Sequence, residues 1–152
     1  MQAAFPNFAA KPEGMTIQEI QDEIISEFEF LTDWEERYEY IIELGRELAA
    51  YPEQFRNEDH KVRGCQSQVW LHQEVKDGRM HFYGDSDALI PKGLISLLLR
   101  VFQDQPVAEI ARSPLYFLER VGLSQNLSPT RSNGLASMVK KIREVALMAA
   151  EN

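Results

Sequence analysis

The 152-residue chain contains a single cysteine, Cys65, and this thiol is the residue best suited to chemistry. One thiol cannot form a disulfide within the chain, and alone it cannot supply the four ligands of a structural zinc site. It can act as a nucleophile or as a carrier of a transferable group. Arg63 and Gly64 precede it, and a polar stretch over 66–68 leads into the apolar run 69–71. This pattern predicts a loop tip feeding a strand, where a rigid scaffold can present a reactive group to a partner.

The residues around Cys65 leave its state open. A free cysteine is most often a small buried hydrophobe, whereas these flanks are polar and flexible. Arg63 is a nearby cation that would favour the thiolate. Cys65 and His60 could form a thiolate–imidazole pair, but the sequence offers neither an orienting acid nor an oxyanion hole to complete a hydrolase site.

Other recognisable catalytic motifs are absent from the sequence. It has no phosphate-binding glycine loop, no nucleophile elbow and no metalloprotease His-Glu pair. His72 and His81 lie in predicted strands that could approach each other, yet histidines on a sheet are more often packed or surface residues than ligands. A metal-cluster scaffold would want several thiolates. We therefore expect no metal and no cofactor.

Charge and composition exclude several classes of protein. The net charge is −8, and residues 16–59 carry fourteen Asp and Glu against three Lys and Arg. Such a surface disfavours nucleic acid, which needs clustered cations, and it fits either docking on a basic protein patch or a simply solvated face. The longest apolar run, 93–99, is far shorter than the ~20 residues of a membrane span. Since the N-terminus also lacks a secretory pattern, we expect a reducing, cytoplasmic location and no membrane association.

The elements that must position Cys65 begin with two helices. Residues 1–15 hold prolines and no clear period, which predicts a flexible arm before a single domain over 16–152. Thr16 and Glu19 form a capping-box pattern, and the apolar spacing that follows predicts a helix ending near Leu31. A second helix is expected to start at Thr32 or Asp33 and to run to Tyr51, where Pro52 stops it.

The middle of the chain predicts a hairpin. Strands are expected near 67–76 and 79–86, joined by Asp77-Gly78, which is a strong two-residue turn signal. Residues 62–64 could add a third strand. The remaining helices are expected from Pro91 to Phe102, buried and central, then as short pieces beginning at Pro106 and Pro114, with Gly122 ending the second, and finally as a helix after a loop over 123–133. The predicted fold class is α+β, a small antiparallel sheet of two to three strands packed against helices from both halves of the chain.

Three ordered segments resemble the SufE family, the sulfur acceptors of iron–sulfur cluster assembly. The string 62–71, Val-Arg-Gly-Cys-Gln-Ser-Gln-Val-Trp-Leu, is similar to the cysteine loop of that family. Residues 84–88, Gly-Asp-Ser-Asp-Ala, precede the helix that opens on Pro91-Lys92-Gly93, and residues 127–135 lead into the last helix. The likeness covers the chain from Thr16 to the C-terminus.

The resemblance implies a specific function. SufE-like proteins bind a pyridoxal-phosphate cysteine desulfurase, stimulate it, take its persulfide sulfur onto their own cysteine and pass that sulfur to a cluster scaffold or another acceptor. Carried over, Cys65 is the persulfide carrier, and Asp87 and Arg131 line or position its loop. Arg131 could instead make only a surface salt bridge, and Asp87 could be a helix cap or turn residue. The protein would act as an enhancer of its desulfurase rather than as a free-standing enzyme.

The resemblance leads to one expectation about mechanism and leaves one alternative function open. The loop should have two states, one with the Cys65 sulfur turned toward an apolar pocket near Trp70 and the Pro91 helix, and one exposed to the desulfurase. From a different class of function, the chain could be an adaptor that grips and activates the desulfurase without carrying sulfur.

Overall fold

The computed structural model describes residues 14–152, so the predicted arm over 1–15 lies almost wholly outside the described residues. The predicted α+β class is confirmed, since the described chain packs helices around a three-stranded antiparallel sheet. In chain order the elements are α1 (Ile17–Glu29), α2 (Trp34–Arg46), β1 (Val69–Lys76), β2 (Arg79–Ser86), α3 (Leu89–Phe102), β3 (Gln105–Pro106), α4 (Val107–Arg112), α5 (Phe117–Arg120), α6 (Leu123–Asn126) and α7 (Pro129–Ala150). No helix within residues 14–152 combines the length and apolarity needed to cross a bilayer.

The first two helices begin at their predicted N-caps. The capping box is present, since Thr16 Oγ1 accepts from the Glu19 backbone N–H at 3.1 Å and the Glu19 carboxylate accepts from the Thr16 N–H at 2.9 Å. Asp33 caps α2. The prediction that α2 reaches Tyr51 is wrong, because the helix ends at Arg46. Tyr51 instead packs against the Arg56 guanidinium and donates its hydroxyl to the Phe55 carbonyl at 2.9 Å, which holds the chain over the sheet.

The sheet is built on the predicted hairpin. β1 and β2 pair antiparallel up to Lys76↔Arg79, and Asp77 and Gly78 close the turn with φ of 54° and 75°. A two-residue turn with both φ positive matches the right-handed twist of the strands it joins. The third strand is β3 on the free edge of β2, and not the predicted 62–64.

Residues 62–64 fail to form a strand because the chain turns away from the sheet there. Lys61 makes one isolated bridge to Trp70, and the Val62 N–H donates to the Val69 carbonyl at 2.8 Å. Gly64 then takes a φ of 89°, which is closed to most residues and ends the pairing. The cysteine loop therefore leaves the sheet edge and crosses to α7.

The predicted central helix is confirmed as α3, which is buried from Gly93 to Phe102. It crosses α2 where Gly45 meets Gly93, and a Cβ on Gly93 would overlap the Ile41 carbonyl and side chain. The two backbones can approach this closely only without side chains at the crossing. This contact holds α3 against α2, and the first turns of α3 form one wall of the cavity beside the cysteine loop.

The predicted loop over 123–133 is wrong. α6 occupies Leu123–Asn126, and α7 begins at Pro129 with Ser128 as its N-cap, whose Oγ accepts from the Arg131 N–H at 3.3 Å. A capping serine followed by proline at the first helical position is a helix-start signal that the apolar periodicity alone misses. Of the two short pieces, α4 follows Pro106 directly, and α5 starts three residues after Pro114.

Candidate functional site

The cysteine loop is closed at its base by the sheet and docked at its tip on α7. Val62 and Val69 join its two ends through a backbone hydrogen bond of 2.8 Å. At the tip, the Cys65 Sγ lies 3.5 Å from the Gly134 carbonyl oxygen and donates to it. Gly64 packs so closely on α7 that a Cβ there would collide with the Ser137 hydroxyl. Two positions one helical turn apart on α7, Gly134 and Ser137, therefore receive the loop.

Cys65 opens onto a cavity of about 400 Å³. Its lining comes from three separate parts of the chain, namely the cysteine loop with the first residue of β1, the first turns of α3, and the start of α7. The lining residues are Cys65, Gln66, Ser67, Val69, Pro91, Leu94, Ser128, Thr130, Arg131, Gly134 and Met138. The three segments that carry the family resemblance are far apart in sequence, and the fold brings residues of all three to the cavity that Cys65 lines.

Trp70 does not line this cavity, which corrects the expected pocket. Pro91 and Leu94 of α3 do line it, as expected. Alternation along β1 sends Val69 toward the cavity and Trp70 to the opposite face of the sheet, where its ring packs against the Arg56 guanidinium. The alternation of side chains along the strand thus places the neighbouring residues Val69 and Trp70 on opposite faces of the sheet.

The electrostatics of Cys65 in the docked loop oppose the expectation drawn from Arg63. Burial raises the pKa of the Cys65 thiol, so the neutral form is favoured. Arg63 is largely exposed and points to Glu58, with Nη1 3.6 Å from its carboxylate and Nη2 donating to its backbone carbonyl at 3.2 Å. The docked thiol is therefore protected rather than activated.

Asp87 contacts the loop at its exit and not at the sulfur. Its carboxylate accepts from the Gln68 backbone N–H at 3.0 Å and from the Gln68 side-chain amide at 3.2 Å, and its own N–H donates to the Gln68 carbonyl at 3.2 Å. The N-cap of α3 is Ala88, so Asp87 does not cap that helix. Asp87 ties the last loop residue to the end of β2.

Arg131 lies on the rim of the same cavity as Cys65, in the first turn of α7. Its side chain is exposed, and among residues 14–152 it forms no ion pair, so the surface-salt-bridge alternative finds no partner there. The structure therefore brings Cys65 and Arg131 to one cavity and places Asp87 behind the loop.

The three histidines lie away from the thiol chemistry. His60 Nδ1 lies 2.8 Å from the Asn57 side-chain oxygen. The His60 ring contacts Phe55 and His72 on the face of the sheet opposite the cavity. His72 and His81 share that face with the Tyr83 ring between them. Within the described residues, no three His, Cys, Asp or Glu side chains are grouped so that they could hold a metal ion.

Gly134 is the site residue that sequence reasoning did not single out. It lies inside a helix, where glycine costs about 1 kcal/mol relative to alanine. A Cβ there would meet only the Cys65 Sγ, at 3.6 Å. A glycine within the helical apolar pattern is the signal that the sequence offers, because such a position often has a packing or functional reason.

Comparison with known proteins agrees with the resemblance of the three segments. Residues 22–146 match the sequence model of the SufE family, described as an Fe-S metabolism associated domain. The chain belongs to the SufE family. It is 46% identical over 134 residues to an uncharacterised SufE-like protein of Rhizobium etli, which covers 85% of this chain and 90% of that relative. It is 37% identical over 139 residues to the sulfur acceptor protein CsdE of Escherichia coli, covering 90% and 93%.

A solved structure supports the fold. The solution structure of a hypothetical protein from Thermus thermophilus superposes with a TM-score of 0.73, covering 88% of this chain and 97% of that one. Its sequence identity is 20%, so this likeness speaks for the fold alone.

Proposed function

We propose that this protein is a sulfur acceptor and carrier, which takes the persulfide sulfur of a pyridoxal-phosphate cysteine desulfurase onto Cys65. The observation that carries the proposal is the convergence of three distant segments on one cavity at the Cys65 sulfur. Membership of the SufE family and the name of the E. coli relative, a sulfur acceptor, support it. The partners are the desulfurase and a later acceptor, such as an iron–sulfur cluster scaffold.

The transfer is a thiolate attack. The Cys65 thiolate attacks the outer sulfur of the desulfurase persulfide, the donor S–S bond breaks, and the donor cysteine leaves as a thiolate. The transferred sulfur keeps its proton until it ionises on Cys65. A new S–S bond of ~2.05 Å adds one atom to the side chain, which a cavity of about 400 Å³ can contain.

The docked state of the loop disfavours this attack. The thiol is half-buried, its pKa is raised, and its proton is donated to the Gly134 carbonyl. We infer that the desulfurase lifts the loop from α7, so that the reactivity of Cys65 rises in the complex. Asp87 would hold the loop exit during this movement, and the Arg131 guanidinium on the rim would attract the anionic thiolate or persulfide.

Intact-protein mass measurement tests the carrier role. The protein is mixed with a cysteine desulfurase and cysteine, and we expect a gain of one or more sulfur atoms, located on Cys65 by peptide mapping and absent without the desulfurase. Cys65→Ser is the matched control and should gain none. If Cys65→Ser stimulates the desulfurase as fully as the wild type does, the protein is an adaptor rather than a carrier.

Loop release has a separate test. Hydrogen–deuterium exchange over residues 60–68 and the labelling rate of Cys65 should both rise when the desulfurase is added. Exchange over residues 95–102 of α3 serves as the internal control, since these residues are buried and none of them lines the cavity. Unchanged exchange and labelling would contradict the two-state loop.

A further inference from the structure

The side chain of Arg56 lies behind the cysteine loop, on the face of the sheet opposite the cavity. Its guanidinium carbon lies 4.9 Å from the ring centroid of Trp70 and 5.1 Å from that of Tyr51. Both aromatic side chains are buried, at 8% and 6% exposure. A planar guanidinium stacks on aromatic faces in a way that an ammonium group does not reproduce.

The same guanidinium is saturated with charged partners. It binds the Glu53 carboxylate through Nε at 3.0 Å and Nη2 at 2.7 Å, and it binds Asp85 through Nη1 at 2.8 Å. Asp85 also pairs with Lys92 Nζ at 3.3 Å. Burial alone would raise the pKa of Asp85, but hydrogen bonds from Arg56 and the Ser86 N–H, together with Lys92, hold it below its usual range.

Two partners of Arg56, Trp70 and Asp85, lead to supports of the cysteine loop. Trp70 bridges to Lys61 and so forms part of the pairing that closes the loop base. Asp85 is followed by Ser86, whose hydroxyl donates to the Gln68 carbonyl at 2.7 Å at the loop exit. Asp85 also pairs with Lys92, which follows the cavity-lining residue Pro91. One side chain thus joins the loop base, the loop exit and the cavity wall.

We propose that Arg56 is a positioning residue for sulfur transfer, which keeps the cysteine loop docked over the cavity from the opposite face of the sheet. The role assigned to docking rests on the proposed function, whereas the brace itself is a property of the free protein. Without Arg56, the Trp70–Lys61 base loosens and Asp85 keeps only Lys92 as a charged partner. The loop then leaves α7 without a desulfurase, and Cys65 is exposed in the free protein.

The test is the alkylation rate of Cys65 by iodoacetamide in Arg56→Ala, at a temperature where both proteins are fully folded. We expect alkylation to be about tenfold faster, which corresponds to ~1.4 kcal/mol of docking free energy. Hydrogen exchange over residues 60–68 should rise in parallel, and a persulfide loaded on Cys65 should be lost faster to a small thiol. A rate within about twofold of the wild type would overturn the proposal, since twofold is well under 1 kcal/mol.

Arg37→Ala is the matched control. Arg37 also stacks on a tryptophan, Trp34, at 5.2 Å, and it donates to the Val121 carbonyl at 3.2 Å and to the carbonyls of Phe28 and Leu31 at 3.4 Å each. Its loss should lower the melting temperature without changing Cys65 alkylation. If Arg37→Ala accelerates alkylation as much as Arg56→Ala does, global destabilisation explains both and the brace is refuted. Because alkylation needs no desulfurase, this result is independent of whether Cys65 accepts sulfur.

Discussion

Replacing Gly64 by alanine should undock the cysteine loop, and the structure sets the size of the effect. The backbone φ at Gly64 is 89°, and a left-handed conformation costs a non-glycine residue ~1–2 kcal/mol. The new Cβ would also meet the Ser137 hydroxyl and lie 3.3 Å from the Ser137 Cβ. The hydroxyl can rotate away, but the Ser137 Cβ cannot. The docked loop should therefore lose about 2 kcal/mol, a roughly thirtyfold shift of its equilibrium toward the undocked state.

The loop can escape this strain by leaving α7, so global unfolding should lose no more than the free energy of docking. We expect Gly64→Ala to react up to about thirtyfold faster with iodoacetamide at Cys65, while the denaturant midpoint falls only slightly. Adding Ser137→Gly should restore part of the docking, because it removes the steric contact and leaves the φ strain. The remaining acceleration in the double variant then measures the backbone cost alone.

Gly78→Ala separates strain in general from strain in the loop. Gly78 has a φ of 75° in the β1–β2 turn, and no atom lies within 4 Å of the position its Cβ would take. This variant should lose a similar backbone energy of ~1–2 kcal/mol and leave Cys65 labelling unchanged. The reasoning would be refuted if Gly64→Ala labelled at the wild-type rate, or if Gly78→Ala labelled equally fast.

Three further predictions concern the thiol, the cavity rim and the core. Burial raises the pKa of Cys65 in the docked state, so the docked state favours the neutral thiol. The free energy of docking should therefore be largest below the ordinary thiol pKa and should fall as pH rises from that value through the raised pKa of the docked thiol. The pH profile of Cys65 alkylation measures this fall, with Gly64→Ala as the undocked reference. Arg131→Ala should slow sulfur uptake from a desulfurase several-fold, as read by quenched mass measurement, with the melting temperature unchanged because Arg131 is exposed and unpaired in the described chain. Gly93→Ala should destabilise the fold by ~1–3 kcal/mol in denaturant unfolding, because its Cβ would force α2 and α3 apart; a loss below about 0.5 kcal/mol would contradict the tight crossing.

Local signals predicted the elements well wherever the chemistry was local. The capping box at Thr16 and the Asp77-Gly78 turn appear in the structure because each is satisfied by residues a few positions apart. The predictions were wrong where a contact with a distant residue determines the local structure. Tyr51 fits the apolar stripe of α2, but its ring packs against the Arg56 guanidinium instead. Residues 62–64 leave the sheet because Gly64 packs on α7.

The candidate site divides in the same way. Scarcity and polar flanks pointed to Cys65, and the resemblance of three segments pointed to the neighbourhoods of Asp87 and Arg131. The sequence could not say that Arg131 would share a cavity with the thiol while Asp87 holds the loop from behind. It also gave no reason to connect Arg56 with the loop, since that link runs through Trp70 and Asp85.

Residue identity and short spacing are enough to establish that this chain has one thiol, where the Thr16 cap and the Asp77-Gly78 turn lie, and which family its motifs resemble. The state of that thiol depends on contacts made by distant parts of the chain. Only the docking of the loop on α7 buries the sulfur, directs its proton to the Gly134 carbonyl and reverses the effect expected from Arg63. A pKa depends on desolvation and on charges in space, and distance along the chain specifies neither.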